Sequence, residues 1–119
     1  MAESGPHIRI TEDKDVHVVE FTDNRILDEL NISQIGQALI NLVDSRDRPK
    51  LLLDFANVDH LSSAALGMLI NVNNRIRARN GQLRLAGIRP QIMEVFQITK
   101  LNRLFRILPG RAEAMKSFE

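Results

Sequence analysis

The sequence predicts a small α/β domain in which a mixed, mostly parallel sheet of about five strands carries about four helices. Apolar segments with strand periodicity alternate with segments of helical periodicity, in the order β-β-α-β-α-β-α-β-α. Strand-helix-strand units imply parallel pairing with right-handed crossovers, whereas the first two strands form a hairpin that gives the sheet an antiparallel edge. Because the chain has 119 residues, we expect one domain over residues 1–119.

The N-terminal segment supplies the hairpin and the first helix. Alternation of apolar and polar residues predicts strands over residues 8–11 and 16–21. The first helix is predicted to start at Asn31, because Gln34 three residues later completes a capping-box-like pair. The helical pattern ends before Pro49, which cannot continue a helix.

Residues 50–70 form the central stretch of the predicted fold. Residues 51–53 are a continuous run of leucine, which is typical of a strand buried on both faces. Asp54 ends the strand, a polar loop follows, and Ser62 and Ser63 stand where the next helix begins. Free amides and the helix dipole favour negative charge at a helix N-terminus, so a kinase could add a phosphate there.

The C-terminal segment is predicted to complete the sheet. The second helix stops near Gly81, where glycine supplies the left-handed conformation, and a further strand follows. Pro90 suits the first position of a third helix. Residues 104–107 read as a short strand at an edge, and a final helix then turns Ala112 and Met115 towards the core.

The composition is that of an ordinary globular protein, with 44% hydrophobic and 26% charged residues. The absence of cysteine excludes disulfides and thiolate metal sites and fits a reducing compartment. No apolar run approaches the ~20 residues needed to span a bilayer, and the polar N-terminus carries no apolar signal core. We therefore expect a cytoplasmic protein with no membrane insertion.

The charges are unevenly distributed along the chain. Residues 1–60 hold 6 Lys+Arg against 12 Asp+Glu (−6), whereas residues 61–119 hold 10 against 3 (+7), which together give +1. Such asymmetry can create a basic binding face, but we favour a fold that interleaves the two halves. Because Arg75, Arg77 and Arg79 are spaced two apart, they scatter around a helix, and we expect no direct binding of nucleic acid.

The sequence lacks motifs for catalysis, nucleotides and metals. Neither GxxxxGK(S/T) nor GxGxxG occurs, and His7, His17 and His60 lack the spacing of metal ligands. His60 and Asp59 precede the two serines, but such near neighbours on one loop seldom form a catalytic triad. We therefore expect no enzymatic activity, no cofactor and no metal.

The stretch from Asp54 to Gly67 resembles the signature of STAS domains, specifically the bacterial anti-sigma factor antagonists. In that family the strand ends in Asp, and the next helix begins with a motif close to D-S-S/T-G-L-G, whose first Ser is phosphorylated. On this chain Ser63 takes the phosphorylated position. It is preferred to Ser62 as the phosphorylation site, because Ser62 takes the position of the motif Asp. Ala65 takes the position of the first Gly.

The resemblance implies a signalling protein that regulates transcription by partner switching, as in a bacterial stress response. Such a protein binds an anti-sigma factor serine kinase and thereby frees a sigma factor, and phosphorylation at Ser63 breaks the complex. A serine phosphatase is a further partner of such a cycle. Asp28 matches the family's acidic residue beside the phosphosite. The expected docking surface contains Asp28, Asp59, Ser62, Ser63, Ala64, Gly67 and Met68.

Three departures from the family pattern leave an alternative open. Ser62 removes a carboxylate next to the phospho-acceptor, Ala65 narrows the backbone freedom there, and Arg25 stands near where the family usually has Gly. These changes fit altered kinase recognition or a member that is not phosphorylated. The alternative is a non-phosphorylated STAS scaffold of a signalling assembly or an accessory subunit of a lipid transporter. In that case Ser62 and Ser63 are helix caps only.

Overall fold

The computed structural model describes residues 3–5 and 7–118, and it confirms the predicted α/β class. This part of the chain holds eight strands, four α-helices and one short 3-10 helix. The strands are β1 (Glu3–Gly5), β2 (Ile8–Asp13), β3 (Val16–Phe21), β4 (Arg25–Ile26), β5 (Lys50–Asp54), β6 (His60–Leu61), β7 (Gln82–Ala86) and β8 (Arg106–Leu108). The helices are α1 (Glu29–Asp44), α2 (Ser63–Ala78), α3 (Pro90–Ile98) and α4 (Arg111–Lys116), and the 3-10 helix is Leu101–Arg103.

Six strands form one mixed sheet in the order β1-β2-β3-β5-β7-β8. The β1-β2 and β2-β3 pairs are antiparallel, whereas β3, β5, β7 and β8 pair in parallel. The five predicted strands, the antiparallel hairpin and the position of the last strand at an edge are confirmed. The sixth strand, β1, extends the sheet beyond the hairpin, where the sequence predicts no strand.

The central strand β5 is buried on both faces, as its leucine run predicts. Leu51 and Leu53 face the larger core, which α1, α2 and α3 cover, and both are at most 1% exposed. Leu52 faces a smaller core on the other side of the sheet, where Ala114 of α4 and Phe118 pack against it. Thus α1 and α2 lie together on one face of the sheet, and α4 lies on the opposite face.

The predicted start of α1 at Asn31 is wrong, because the helix begins at Glu29 with Asp28 as its N-cap. The Asp28 carboxylate accepts a hydrogen bond from the Leu30 amide at 2.8 Å. Aspartate is among the strongest N-cap residues, and here it caps the helix three residues before Asn31, the cap of the predicted capping box. Asp28 therefore has a structural role in addition to its predicted place in the docking surface.

Two predictions near other helix ends are also wrong. The left-handed residue after α2 is Asn80 (φ 58°), not Gly81. Glycine is needed at 81 for a different reason, since a Cβ there would lie 2.4 Å from the Pro49 carbonyl oxygen. In α4, Ala112 is exposed and Ala114 is buried. The buried residues of this segment are Ala114 and, four residues later, Phe118, so Ala112 faces solvent.

Ion pairs join the acidic N-terminal half to the basic C-terminal half. Arg75 of α2 binds Asp44 at the end of α1 through two hydrogen bonds of 3.0 and 2.8 Å. The hydrogen bond from Arg75 lowers the pKa of the Asp44 carboxyl. Arg111 of α4 contacts Glu20 at 3.0 Å and Asp54 at 2.9 Å. The fold thus interleaves the two halves, as favoured from the sequence.

Candidate functional site

A two-stranded parallel ribbon of β4 and β6 brings two helix N-termini together. Arg25 lies opposite His60, and Ile26 lies opposite Leu61. The Ser62 amide also donates a hydrogen bond to the Ile26 carbonyl oxygen at 3.1 Å. Helix α1 begins three residues after β4, and α2 begins two residues after β6. Because the two strands are parallel and finish at the same end of the ribbon, the N-termini of α1 and α2 lie side by side.

The two serines at the start of α2 differ in the availability of their hydroxyls. Ser62 is the N-cap, is half-buried, and accepts a hydrogen bond from the Ala65 amide at 3.2 Å. Ser63 is the first residue of the helix and is exposed. Within residues 3–5 and 7–118, the Ser63 hydroxyl takes part in no hydrogen bond. Its oxygen is thus free to react, whereas that of Ser62 is engaged in the cap.

The start of α1 presents a carboxylate between two exposed leucines. Asp28 is exposed and accepts hydrogen bonds from the amides of Leu30 (2.8 Å) and Asn31 (3.4 Å). Leu27 is 42% exposed and Leu30 is 66% exposed. Sequence reasoning missed Leu30 because the misplaced start at Asn31 put it outside the helix, and it also missed the exposure of Leu27, which precedes the cap. With the N-cap at Asp28, Leu30 falls off the buried stripe of α1, and this would have revealed it.

Asp59 lies in the loop between β5 and β6 and is held there by Arg89. The Arg89 guanidinium forms an ion pair with the Asp59 carboxylate and donates a hydrogen bond to the Ala56 carbonyl oxygen at 2.9 Å. The Asp59 amide donates to the Asn24 carbonyl oxygen at 2.7 Å. Asp59 therefore shapes the loop that leads to Ser63, and its charge is balanced by a cation. Its place in a docking surface stays a prediction.

An open groove of about 590 Å³ lies between α1 and α2, and its lining on α2 begins at Ala64, the residue after Ser63. Its lining includes Ile32, Gly36 and Gln37 of α1, with Ala64, Gly67 and Met68 of α2. No lining residue is charged. Three residues of the predicted docking surface, Ala64, Gly67 and Met68, thus share one groove.

The two glycines of this groove differ in what a side chain at each position would meet. A Cβ at Gly36 would lie 2.9 Å from Cγ of Met68, so the absence of a side chain lets Met68 pack against α1. A Cβ at Gly67 would meet no atom within 4 Å. Glycine within a helix is destabilising relative to alanine. Packing inside the described chain therefore gives no reason for a glycine at 67.

The described residues show no site for a metal and no membrane span. No group of three or more histidine and acidic side chains is arranged to hold a metal ion in this part of the chain. In the same residues, no helix combines the length and apolarity required to cross a membrane. His60 is exposed, and no hydrogen bond joins it to either serine within residues 3–5 and 7–118.

The family model of the STAS domain matches residues 7–114, so this chain belongs to the STAS domain family. This confirms the resemblance drawn from the sequence. A protein of Bordetella bronchiseptica that carries the name anti-sigma factor antagonist BtrV is 29% identical over 94 residues. The match covers 79% of this chain and 80% of that protein.

Solved structures of anti-sigma factor antagonists share the fold. The STAS domain protein of Planctomyces limnophilus superposes with a TM-score of 0.84 at 24% identity, covering 94% of this chain and 97% of that one. The Bacillus cell fate determinant SpoIIAA, in its phosphorylated form, gives a TM-score of 0.71 at 16% identity, covering 94% and 99%. At these identities the likeness shows the fold alone.

Proposed function

We propose that this protein is an anti-sigma factor antagonist that acts by partner switching. Its unmodified form binds an anti-sigma factor that is a serine kinase, and this binding frees a sigma factor. Phosphorylation of Ser63 ends the complex, and a serine phosphatase restores it. The protein itself acts by binding rather than by catalysis.

The free, exposed hydroxyl of Ser63, at the start of α2 and beside an uncharged groove, is the observation that carries this proposal. The names of two similar proteins support it. BtrV carries the name anti-sigma factor antagonist, and SpoIIAA is known in a phosphorylated form.

A phosphate on Ser63 would affect binding more than folding. It adds about −1.5 to −2 charges at neutral pH. The unpaired first-turn amides and the dipole of α2 stabilise that charge in the free protein. A partner that covers the uncharged groove together with the adjoining start of α2 would have to desolvate the phosphate, which costs several kcal/mol when no counter-charge is supplied. The modification therefore weakens the complex while the domain stays folded.

The departure at Ser62 is compatible with this function. Serine and aspartate are both strong N-caps, and the Ser62 oxygen accepts the hydrogen bond from Ala65 that caps α2. The substitution thus keeps the geometry of the phospho-acceptor and removes one negative charge next to it. The alternative, a scaffold or a transporter subunit, instead expects Ser63 to remain unmodified in cells.

The test compares Ser63→Asp with Ser63→Ala and with Asn74→Asp, which places the same charge at an exposed position later in α2. Binding to the organism's anti-sigma factor kinase is measured by calorimetry, and folding by circular dichroism. We expect Ser63→Asp to fold normally and to bind at least roughly tenfold more weakly, or about 1.4 kcal/mol. The two other variants should bind like wild type. A Ser63→Asp protein with wild-type affinity would contradict the switch.

A further inference from the structure

We infer that the groove between α1 and α2 receives an amphipathic helix of the kinase partner, which lays an uncharged aliphatic ridge into it. This inference rests on the proposed function and divides the interface into two parts. The apolar part supplies affinity, and Ser63 at its end controls access. We call the apolar part the apolar seat; it comprises Leu27, Leu30, Ile32, Gly36, Gly67 and Met68.

The dimensions of the groove fit a helix. Its lining extends from Ile32 to Ile40 along α1 and from Ala64 to Val72 along α2. At 1.5 Å rise per residue, each wall is about 12 Å long, which matches just over two turns of a partner helix. A groove between two helices takes a third through side chains at i, i+3 or i+4, and i+7. Because nothing occupies the space beside Gly67, a partner backbone can approach closely there.

Two exposed leucines precede Ile32, the first residue of α1 that lines the groove. Among the described residues, the large apolar side chains that are exposed are Leu27, Leu30 and Ile98, and the first two flank Asp28. The register of β4 and β6 brings this segment alongside Ser62 and the start of α2. A contiguous exposed apolar surface marks an interaction site. The apolar seat is therefore continuous with the proposed switch.

The absence of charge in the groove lining determines which kind of helix surface can enter the groove. No lining residue is charged, so a charged ridge would lose water without gaining a counter-charge. An aliphatic ridge carries no such penalty. A phosphate on Ser63 would lie against the end of that ridge, which explains how a modification outside the groove can block its occupant.

Site-specific photo-crosslinking in the organism's own cells tests the inference. The photoreactive amino acid p-benzoylphenylalanine is placed at Gln37 in the groove wall, at Ala64 beside Ser63, and at Ala112 on the opposite face as a control; all three positions are exposed. We expect Gln37 and Ala64 to crosslink the same serine kinase, identified by mass spectrometry, and Ala112 to crosslink none. The kinase peptide joined to Gln37 should come from an amphipathic helix.

Each outcome separates the inference from the proposed function. If Ala64 crosslinks the kinase and Gln37 does not, or if Gln37 joins a charged loop, the apolar seat is wrong and the proposed function stands. Crosslinks from Gln37 to a second copy of this chain would show that the groove is a self-association surface and would overturn the kinase helix as its occupant. If neither position crosslinks a kinase, both the apolar seat and the proposed function are contradicted. Crosslinks from Gln37 alone would support the seat and contradict contact at Ser63.

A substitution that fills the groove gives an independent measurement. Gly67→Leu adds a side chain at an exposed position where a Cβ would meet no atom within 4 Å, so the variant should fold. We expect its affinity for the purified kinase to fall by roughly tenfold or more. Asn74→Leu, exposed on the same helix and outside the groove lining, is the matched control and should bind like wild type. A folded Gly67→Leu protein with full affinity would overturn the inference.

Discussion

Replacing Gly67 by alanine is expected to stabilise the free protein. Gly67 lies within α2, and a Cβ there would meet no atom within 4 Å. The new methyl group therefore causes no clash, and the gain is the difference in helix propensity, about 0.8–1.0 kcal/mol. For a domain of this size, that free energy raises the melting temperature by about 4 °C.

Gly36→Ala is the matched control for this prediction, because Gly36 lies in the facing helix. Its Cβ would lie 2.9 Å from Cγ of Met68, so the side chain of Met68 would have to move. We expect this cost to offset the gain in propensity and to leave Gly36→Ala less stable than Gly67→Ala by about 1 kcal/mol.

Chemical and thermal unfolding followed by far-UV circular dichroism suits this comparison, since the chain has no tryptophan or tyrosine. Equal stabilisation by both variants would show that Met68 does not pack on Gly36. Destabilisation by Gly67→Ala would show that the space beside Gly67 is not open. Either result would refute the geometry on which the apolar seat depends.

Three further predictions concern the residues around Ser63 and the end of α1. Ser62→Ala should lose about 1 kcal/mol of unfolding free energy because the cap is removed, whereas Ser62→Asp should keep the wild-type stability. Ser63→Ala should change the unfolding free energy by under about 0.5 kcal/mol. Equal losses at both serines would contradict the assigned cap. Arg89→Ala should speed amide hydrogen exchange in the loop between β5 and β6, since its guanidinium holds that loop, and unchanged exchange would show that the ion pair is dispensable. The hydrogen bond from Arg75 lowers the pKa of Asp44 below its ordinary 3.8, so its contribution to stability is present above that pH and disappears as the pH falls further. Asp44→Asn should flatten the loss of stability below about pH 4, and an unchanged acid profile would contradict this assignment.

The sequence is sufficient to predict five of the six strands of the large sheet, because these strands carry strong periodic signals. Leu52 is buried by α4 while its two neighbours are buried by α1 and α2, and only an uninterrupted apolar run satisfies both faces. The ribbon of β4 and β6 has two residues in each strand and leaves no periodic signal. That ribbon nevertheless determines which helix N-termini meet.

The serines of the candidate site are predictable from the sequence, but the groove and the exposed leucines beside them are not. The paired serines and the resemblance to STAS domains indicate the start of α2, but only the hydrogen bond from Ala65 distinguishes the engaged hydroxyl from the free one. The groove depends on Gly36 and Met68, which are far apart in the sequence and meet only when α1 and α2 pack. The exposure of Leu30 follows from the cap at Asp28, which competed with a plausible capping box at Asn31.

Mass spectrometry of two pools of this protein, recovered from its own cells, tests the central claim most directly. One pool copurifies with the anti-sigma factor kinase, and the other is free of it. We predict that phosphate on Ser63 is confined to the free pool and that its amount changes between growth and stress. Phosphorylated Ser63 at equal levels in both pools, or an unmodified Ser63 under every condition, would contradict the proposed switch.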